Sequence, residues 1–467
     1  MAARVGLLLQ GLWLLQASCK AETRSTSSRL VVRLKAAPSI VSSSRGVDVF
    51  VPALCHVRDS AAGQAGTALA TGVAVGLVVK QSKRLLAAME IARLQSSTIS
   101  TFSPLVGGAL VSLLYLVQPD LGVGAVSVGT LDRFSIQRQV LRFAAVLLVV
   151  GSGNALALAG PAAEMGMTVA RVFSGGANRC GGLSRPLILA GSAAGFAANF
   201  DAPLAGSLYA LEVSRRAVFP WRPDAQERPN KQQVEVSMTM IAAFAAAAVI
   251  RGRAGGFSSY TRGPLALPVM LPIPASGLPL LLAVGAATGL LASFIQGPLA
   301  NAVTNLVSCV PKVIRPLLGG SLVSTAASAS ELPQSLPAIY KVFAAMADGK
   351  LSPDALMRFM AVKVVSIQAC LSSGLIGGTI APYLIVGSSI GALIATVSSR
   401  VPVASFAAVG SAAVLASLFQ APLAFAVLIV EMTQQFHLLA PLLLVSAVSS
   451  YTCELASGAL DWKKAAP

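Results

Sequence analysis

Apolar residues run through this chain in long blocks that charge seldom interrupts. The blocks fall at Ala65–Val79 (extended by KQSKRLLAAMEIARL), from Pro104 onward in PLVGGALVSLLYLVQPDLG, and at Val140–Val150, Pro186–Val213, Val236–Ile250, Leu278–Phe294 and Leu438–Leu455. With the blocks between Pro316 and Met432, about ten to twelve segments reach the length of a full or partial membrane crossing, for which a full span takes ~20 apolar residues. Several are too short, or too broken by Gly and Pro, to cross alone. Their filler is Ala, Gly, Ser and Val, which lets helices approach closely. Ser214–Glu235 is the most charged internal stretch and belongs in water. The pattern predicts an all-α, polytopic membrane protein with broken and part-spanning helices.

The blocks repeat. Ser152–Gly166, SGNALALAGPAAEMG, returns in altered form as Ser373–Gly387, SGLIGGTIAPYLIVG. Both copies begin with Ser-Gly, carry a small residue before Pro (Gly160-Pro161, Ala381-Pro382) and end in Gly. Proline is tolerated in a helix's first turn, where its missing N–H has no partner to lose. Each copy therefore predicts a loop entering a helix at membrane depth. Such starts expose N–H groups and partial positive charge, an arrangement that attracts anions. PLVGGALVS at Pro104 is likewise echoed by PLLGGSLVS at Pro316. The 23-residue segment from Gly191 shares 11 identities with that from Gly410, in the same order along the chain. Three echoes at a nearly constant offset predict a two-fold internal repeat, with a first half at residues 61–260 and a second at 261–467.

Composition narrows the function. The 467 residues are 55% hydrophobic and 11% charged, with mean hydropathy +0.74, against about 25% charged in a soluble chain. The net charge of +17 fits loops that face anionic lipid and a field that gathers anions. Basic clusters with interleaved aromatics are missing, so nucleic acid is not an expected partner. The six cysteines are scattered without a CxxC pair, and two histidines cannot build a His-based metal site. There is no HExxH and no pair of membrane aspartates suited to proteolysis, so an enzyme is not expected. Residues 1–60 read as a targeting segment or tail: Arg4 precedes the apolar VGLLLQGLWLLQ, and a Ser- and Arg-rich stretch poor in acids follows. That order suits a two-part plastid address.

The motifs resemble those of the CLC family of chloride channels and anion/proton exchangers over about residues 65–457. GSAAGFAANFDAPLAG is similar to the family's GAAAGxAAAFNAPLAG, SSGLIGGTIAP to SSGxxGGIFAP, and GSGNALALAGP to the GTGNSLGPEGP form of the plant plastid and Golgi branch. The resemblance implies a CLC-type inverted repeat, a homodimer and one anion pathway in each subunit, with chloride or another small anion as permeating ligand and no cofactor. It implies a membrane location in the plastid or thylakoid, or otherwise in the endomembranes. Only a short tail follows Leu455, so no C-terminal soluble regulatory (CBS) domain is expected.

Carried over residue by residue, the resemblance puts the anion against Gly378, Thr379, Ile380 and Ala381 from the second half, with N–H groups of Thr379 and Ile380 as donors. Leu158, Ala159, Gly160 and Pro161 face them from the first half. The family's GSGIP motif falls on Gly122-Val123-Gly124-Ala125-Val126, so Val123 replaces the serine that would offer a hydroxyl, beside Gly124. Trp462 is the nearest candidate for the pore tyrosine. The family's gating glutamate is replaced by Ala159, and a second glutamate on the proton route by Val213. A methyl group cannot take up protons, so the expectation is a passive anion channel, voltage-gated or not. An exchanger would need a substitute carboxylate, Glu164 first, and a non-conducting relative would fill the passage between Ala159 and Ile380 with bulk. Of the other polar residues, Ser152 and Ser373 are read as satisfying local backbone, Asp201 as starting a turn, Glu212 and Glu431 as interface caps, and Lys363 as snorkelling.

Overall fold

The computed structural model describes residues 61–122, 135–174, 184–214, 229–251, 271–329, 345–346, 349 and 351–465. The first helices are α1 (Ala61–Leu94), α2 (Ser97–Val117), α3 (Ile136–Gly151), α4 (Ala159–Phe173) and α5 (Ser184–Phe200). Next come α6 (Pro203–Tyr209, prolonged by a π turn at Ala210–Ser214) and α7 (Pro229–Arg251). After α8 (Leu278–Phe294), a π turn at Ile295–Leu299 leads into α9 (Ala300–Ser308). The rest are α10 (Arg315–Ala329), α11 (Pro353–Ser372), α12 (Ile380–Ser398), α13 (Val403–Phe419), α14 (Pro422–Thr433) and α15 (Leu439–Ala465). Among the described residues, seven helical stretches are long and apolar enough to cross a membrane, whereas Val403–Phe419 and Pro422–Thr433 are apolar but shorter.

The packing repeats with the sequence. α4 lies on α5 as α12 lies on α13; α5 meets α6 as α13 meets α14; α1 packs on α7 as α8 packs on α15. Three contacts have no second copy because they join an element to its own mate: α2 with α10, α6 with α14, and α4 with α12. Gly166 and Gly191 bring the backbones of α4 and α5 together, and Gly387 and Gly410 do the same for α12 and α13. In a bilayer, where lipid is as apolar as the side chains, such close approach is a main source of helix association. The apolar window of α12 is 72% buried and that of α2 only 22%, which puts α12 at the centre and α2 on the rim. Phe196 stacks on Tyr209 at 4.2 Å, and Phe425 of α14 meets both rings edge-on.

Several elements differ from the sequence pattern for local reasons. α2 begins at Ser97, not Pro104, with the proline inside the helix. Pro104 cannot donate to the Ser100 carbonyl, and the neighbouring Ser103 hydroxyl donates across to the Ser152 carbonyl at 2.7 Å. The block Pro186–Val213 is two helices. The chain enters the left-handed region at Asp201 (φ 57°) and restarts at Pro203, as it does at Gln420 (φ 53°) before Pro422. The Asp201 carboxylate accepts from Arg251 Nε at 2.8 Å, which fixes the turn. α7 already includes Glu235, which is buried beside Arg185 rather than in water. Lys363 does not snorkel: it has no exposed surface at all.

Glu212 and Glu431 do cap helices, but across the repeat rather than at an interface with water. Glu431, near the end of α14, accepts from the N–H groups of Leu204 (3.1 Å) and Ala205 (2.8 Å) at the start of α6. Glu212, in the π turn after α6, accepts from Ala424 N–H (2.7 Å) at the start of α14. Each carboxylate satisfies donors that the other helix cannot satisfy itself, and each sits at the positive end of a helix dipole. Glu431→Gln turns one acceptor into a donor facing two N–H groups. It is expected to cost about 1–3 kcal/mol and to lower the thermal midpoint in detergent, whereas Glu454→Gln, at an exposed position, leaves the midpoint unchanged.

Candidate functional site at two facing helix starts

The two repeated loops are built alike. α3 ends at Gly151, the Ser152 hydroxyl donates to the Val149 carbonyl at 3.0 Å, and Gly153 turns the chain at φ 84°. α11 ends at Ser372, the Ser373 hydroxyl donates to Cys370 at 2.9 Å, and Gly374 turns at φ 81°. Both serines satisfy local backbone, as their sequence predicts. Neighbouring helices then fix the loops: Asn154 Nδ2 donates to the Pro104 carbonyl at 3.2 Å, and the Tyr115 hydroxyl donates to the Gly374 carbonyl at 2.9 Å.

The loops meet at an antiparallel bridge. Ala157 N–H donates to the Gly378 carbonyl at 2.7 Å, and Gly378 N–H donates back to the Ala157 carbonyl at 2.6 Å. This bridge brings the start of α4 against the start of α12, and a Cβ at Gly378 would stand 2.8 Å from the Gly160 nitrogen. The Gly378 N–H is thus committed to the loop contact, and Pro161 has no N–H to give. Neither Leu158 nor Thr379, the residues before the two helices, provides a side-chain cap. Among the described residues, no backbone carbonyl accepts from the N–H groups of Ala159, Gly160, Thr379 or Ile380. Leu158, Ala159, Ile380 and Ala381 are buried, with Gly160 and Thr379 half-buried beside them. An unsatisfied N–H in such surroundings costs about 1–3 kcal/mol, and helix starts of this kind take water or an anion as acceptor.

Of the other sequence candidates, Val213 lies in the π turn after α6, while Val123, Gly124 and the side chain of Trp462 lie outside the described residues. Glu164, one turn along α4, is held in a bidentate ion pair by Arg142 of α3, at 2.9 and 3.4 Å. Arg142 also donates from Nη1 to the Leu121 carbonyl at 2.7 Å. Sequence reasoning passed over Ala157, Tyr115 and Arg142; only Arg142, a charge within an apolar run, carries a signal in the sequence. The run Gly387-Ser388-Ser389-Ile390-Gly391 has the spacing of a hydrolase nucleophile turn but is helix interior, and the buried Ser389 hydroxyl donates to the Ile385 carbonyl at 2.9 Å.

Residues 123–454 match the family model described as voltage gated chloride channel. The chain belongs to this family. It is 29% identical over 376 residues to chloride channel protein CLC-e of Arabidopsis thaliana, covering 74% of this chain and 51% of that one. It is 28% identical over 326 residues to the H(+)/Cl(-) exchange transporter ClcA of Vibrio cholerae, covering 66% of this chain and 65% of that one. The chain thus spans about half the length of the plant relative. Among solved structures, a slow cyanobacterial Cl-/H+ antiporter superposes with TM-score 0.72 at 21% identity, over 85% of this chain and 95% of the other. A CLC-type fluoride/proton antiporter gives 0.65 at 19% identity, over 84% and 95%. The architecture is therefore the CLC-type inverted repeat of a multi-pass membrane protein.

Close approach at the bridge separates two glycines that look equivalent in sequence. Gly378→Ala forces a Cβ to 2.8 Å from Gly160 N and 3.1 Å from the Ala157 carbonyl, whereas Gly160→Ala meets nothing nearer than 3.7 Å. The first is expected to lower the thermal midpoint of the purified protein as strain and a weakened bridge together cost about 1–3 kcal/mol. The second is expected to leave the midpoint near the native value.

Proposed function

We propose that the chain conducts small anions, chloride by default, passively across its membrane. The observation that carries this reading is the pair of uncapped helix starts held face to face by the Ala157–Gly378 bridge. Their N–H groups are donors that a permeating anion can use in turn, and backbone donors hold an anion without a fixed cation to trap it. Ala159 supports conduction without proton coupling. It is the first residue of α4 and fully buried, and it offers a methyl where coupling needs a carboxylate that alternates between binding protons and competing with the anion. Exchange with protons is the second reading, favoured by the relative named as an exchange transporter and by the largely buried Glu164 one turn along α4. We further infer two transmembrane halves meeting between residues 260 and 261, a homodimer, and a plastid or endomembrane location. The plastid placement rests on the N-terminal composition and the plant relatives.

Purified protein in liposomes, with valinomycin clamping the potential, is expected to release chloride without accompanying proton movement. Protons driven uphill by a chloride gradient would overturn passive conduction, and no chloride movement from monodisperse protein would favour a non-conducting relative. Restoring the carboxylate gives a sharper test. With Ala159→Glu, the side chain is ionised well above the usual glutamate pKa of about 4.3 and then competes with chloride. Its chloride flux is expected to fall at least roughly tenfold at neutral pH and to recover in acid as the group protonates, whereas the native flux shows no such recovery.

A further inference from the structure

Beside the facing helix starts lies a recess that holds an ion pair. α3 and α4 enclose a small recess, about 10 Å³, bordered by Gln139, Arg142, Pro161, Glu164 and Thr168. Two side chains of opposite charge face each other there. Glu164 Oε2 lies 2.9 Å from Arg142 Nε and Oε1 lies 3.4 Å from Nη2, with 19% and 12% of the respective side chains exposed. The third guanidinium nitrogen, Nη1, is anchored 2.7 Å from the Leu121 carbonyl. The fork is thus held from behind and keeps its place if the carboxylate leaves. The Glu164 carboxylate is held by Arg142, so rotation of that flexible side chain opens the fork.

We propose that the Arg142 guanidinium is a binding station for small planar oxyanions, nitrate being the simplest, and that the Glu164 carboxylate is its tethered competitor. The inference rests on the reading that this chain handles anions, and it assigns that handling a chemical class. The occupant in place is itself a planar anion with two oxygens on the fork. A guanidinium offers parallel N–H groups that suit nitrate, formate or bicarbonate better than a spherical halide, which meets it one bond at a time. The partly buried pair needs an anion on Arg142 at all times, because a bare charge in this setting is costly. An incoming oxyanion therefore exchanges with the carboxylate rather than adding to it. Pro161, in the first turn of α4, is part of the same recess, so the station adjoins the helix start at which the permeating anion is proposed to bind.

Titration calorimetry of sodium nitrate and of sodium chloride into the purified full chain tests this without requiring transport. Glu164→Gln and Glu164→Ala remove the competitor and are expected to tighten nitrate binding about tenfold, as for a site occupied nine-tenths of the time by its own tether. Chloride is expected to tighten less. Arg142→Lys added to Glu164→Gln keeps the charge but loses the fork, and nitrate is expected to weaken to the native level or below. Nitrate affinities equal within about twofold across monodisperse native, Glu164→Gln and Glu164→Ala proteins would overturn the proposal, as would the absence of nitrate heat in all three. Liposome flux is read in parallel. A nitrate shift without native flux retains the station and rejects conduction; flux without the shift does the reverse.

Discussion

Two backbone hydrogen bonds between Ala157 and Gly378 hold the starts of α4 and α12 together, and much of the remaining architecture keeps them there. A helix start inside apolar surroundings is an unfavourable object, because its first N–H groups have no partner within the helix. Here two such starts lie side by side, and neither is capped by its preceding side chain. Their cost is offset by rigid support behind them. α5 and α13 pack on α4 and α12, and the loops are pinned from α2 by Tyr115 and from α3 by the turn at Ser152. The donors are therefore fixed in position in advance, so the anion proposed to bind there is spared the cost of ordering them.

The electrostatics of such a site depend on what is left out as much as on what is present. Partial charges at helix ends attract an anion weakly enough to let it go again, whereas a full cation would hold it. The side chains at Leu158, Ala159 and Ile380 are all apolar, so none adds a charge of its own beside the facing N–H groups. One turn along α4, Glu164 is paired with Arg142 of α3, and the pair is neutral as long as it stays closed.

Much of this was legible in the chain. The apolar blocks gave the helices, and the echo of Ser152–Gly166 at Ser373–Gly387 gave both helix starts, since Ser-Gly before a turn and Pro inside a first turn are local constraints that tertiary contacts rarely override. What stayed hidden depends on contacts between distant residues. Nothing near Ala157 or Gly378 announces that they pair, because a backbone bridge uses no particular side chain. Pro104 seemed to open a helix because a first turn tolerates proline, but α2 begins about two turns earlier and packs along α10. Lys363 looked suited to the membrane surface by its length alone, and only the position of α11 among its neighbours shows it enclosed. Resemblance placed Val123 and Gly124 on the pathway, and they lie outside the described residues.

The crossed glutamates carry a consequence for how the molecule is made. The start of α6 is completed by a carboxylate 226 residues further along the chain. While a ribosome is still producing the second half, the first half stands in the bilayer with bare donors at Leu204 and Ala205 and a negative charge at Glu212 that has yet to meet Ala424. The early half must wait, in a state that lipid alone does not satisfy, for a partner that does not yet exist. These three hydrogen bonds can form only once both halves are present, so the two ends of the repeat are completed together.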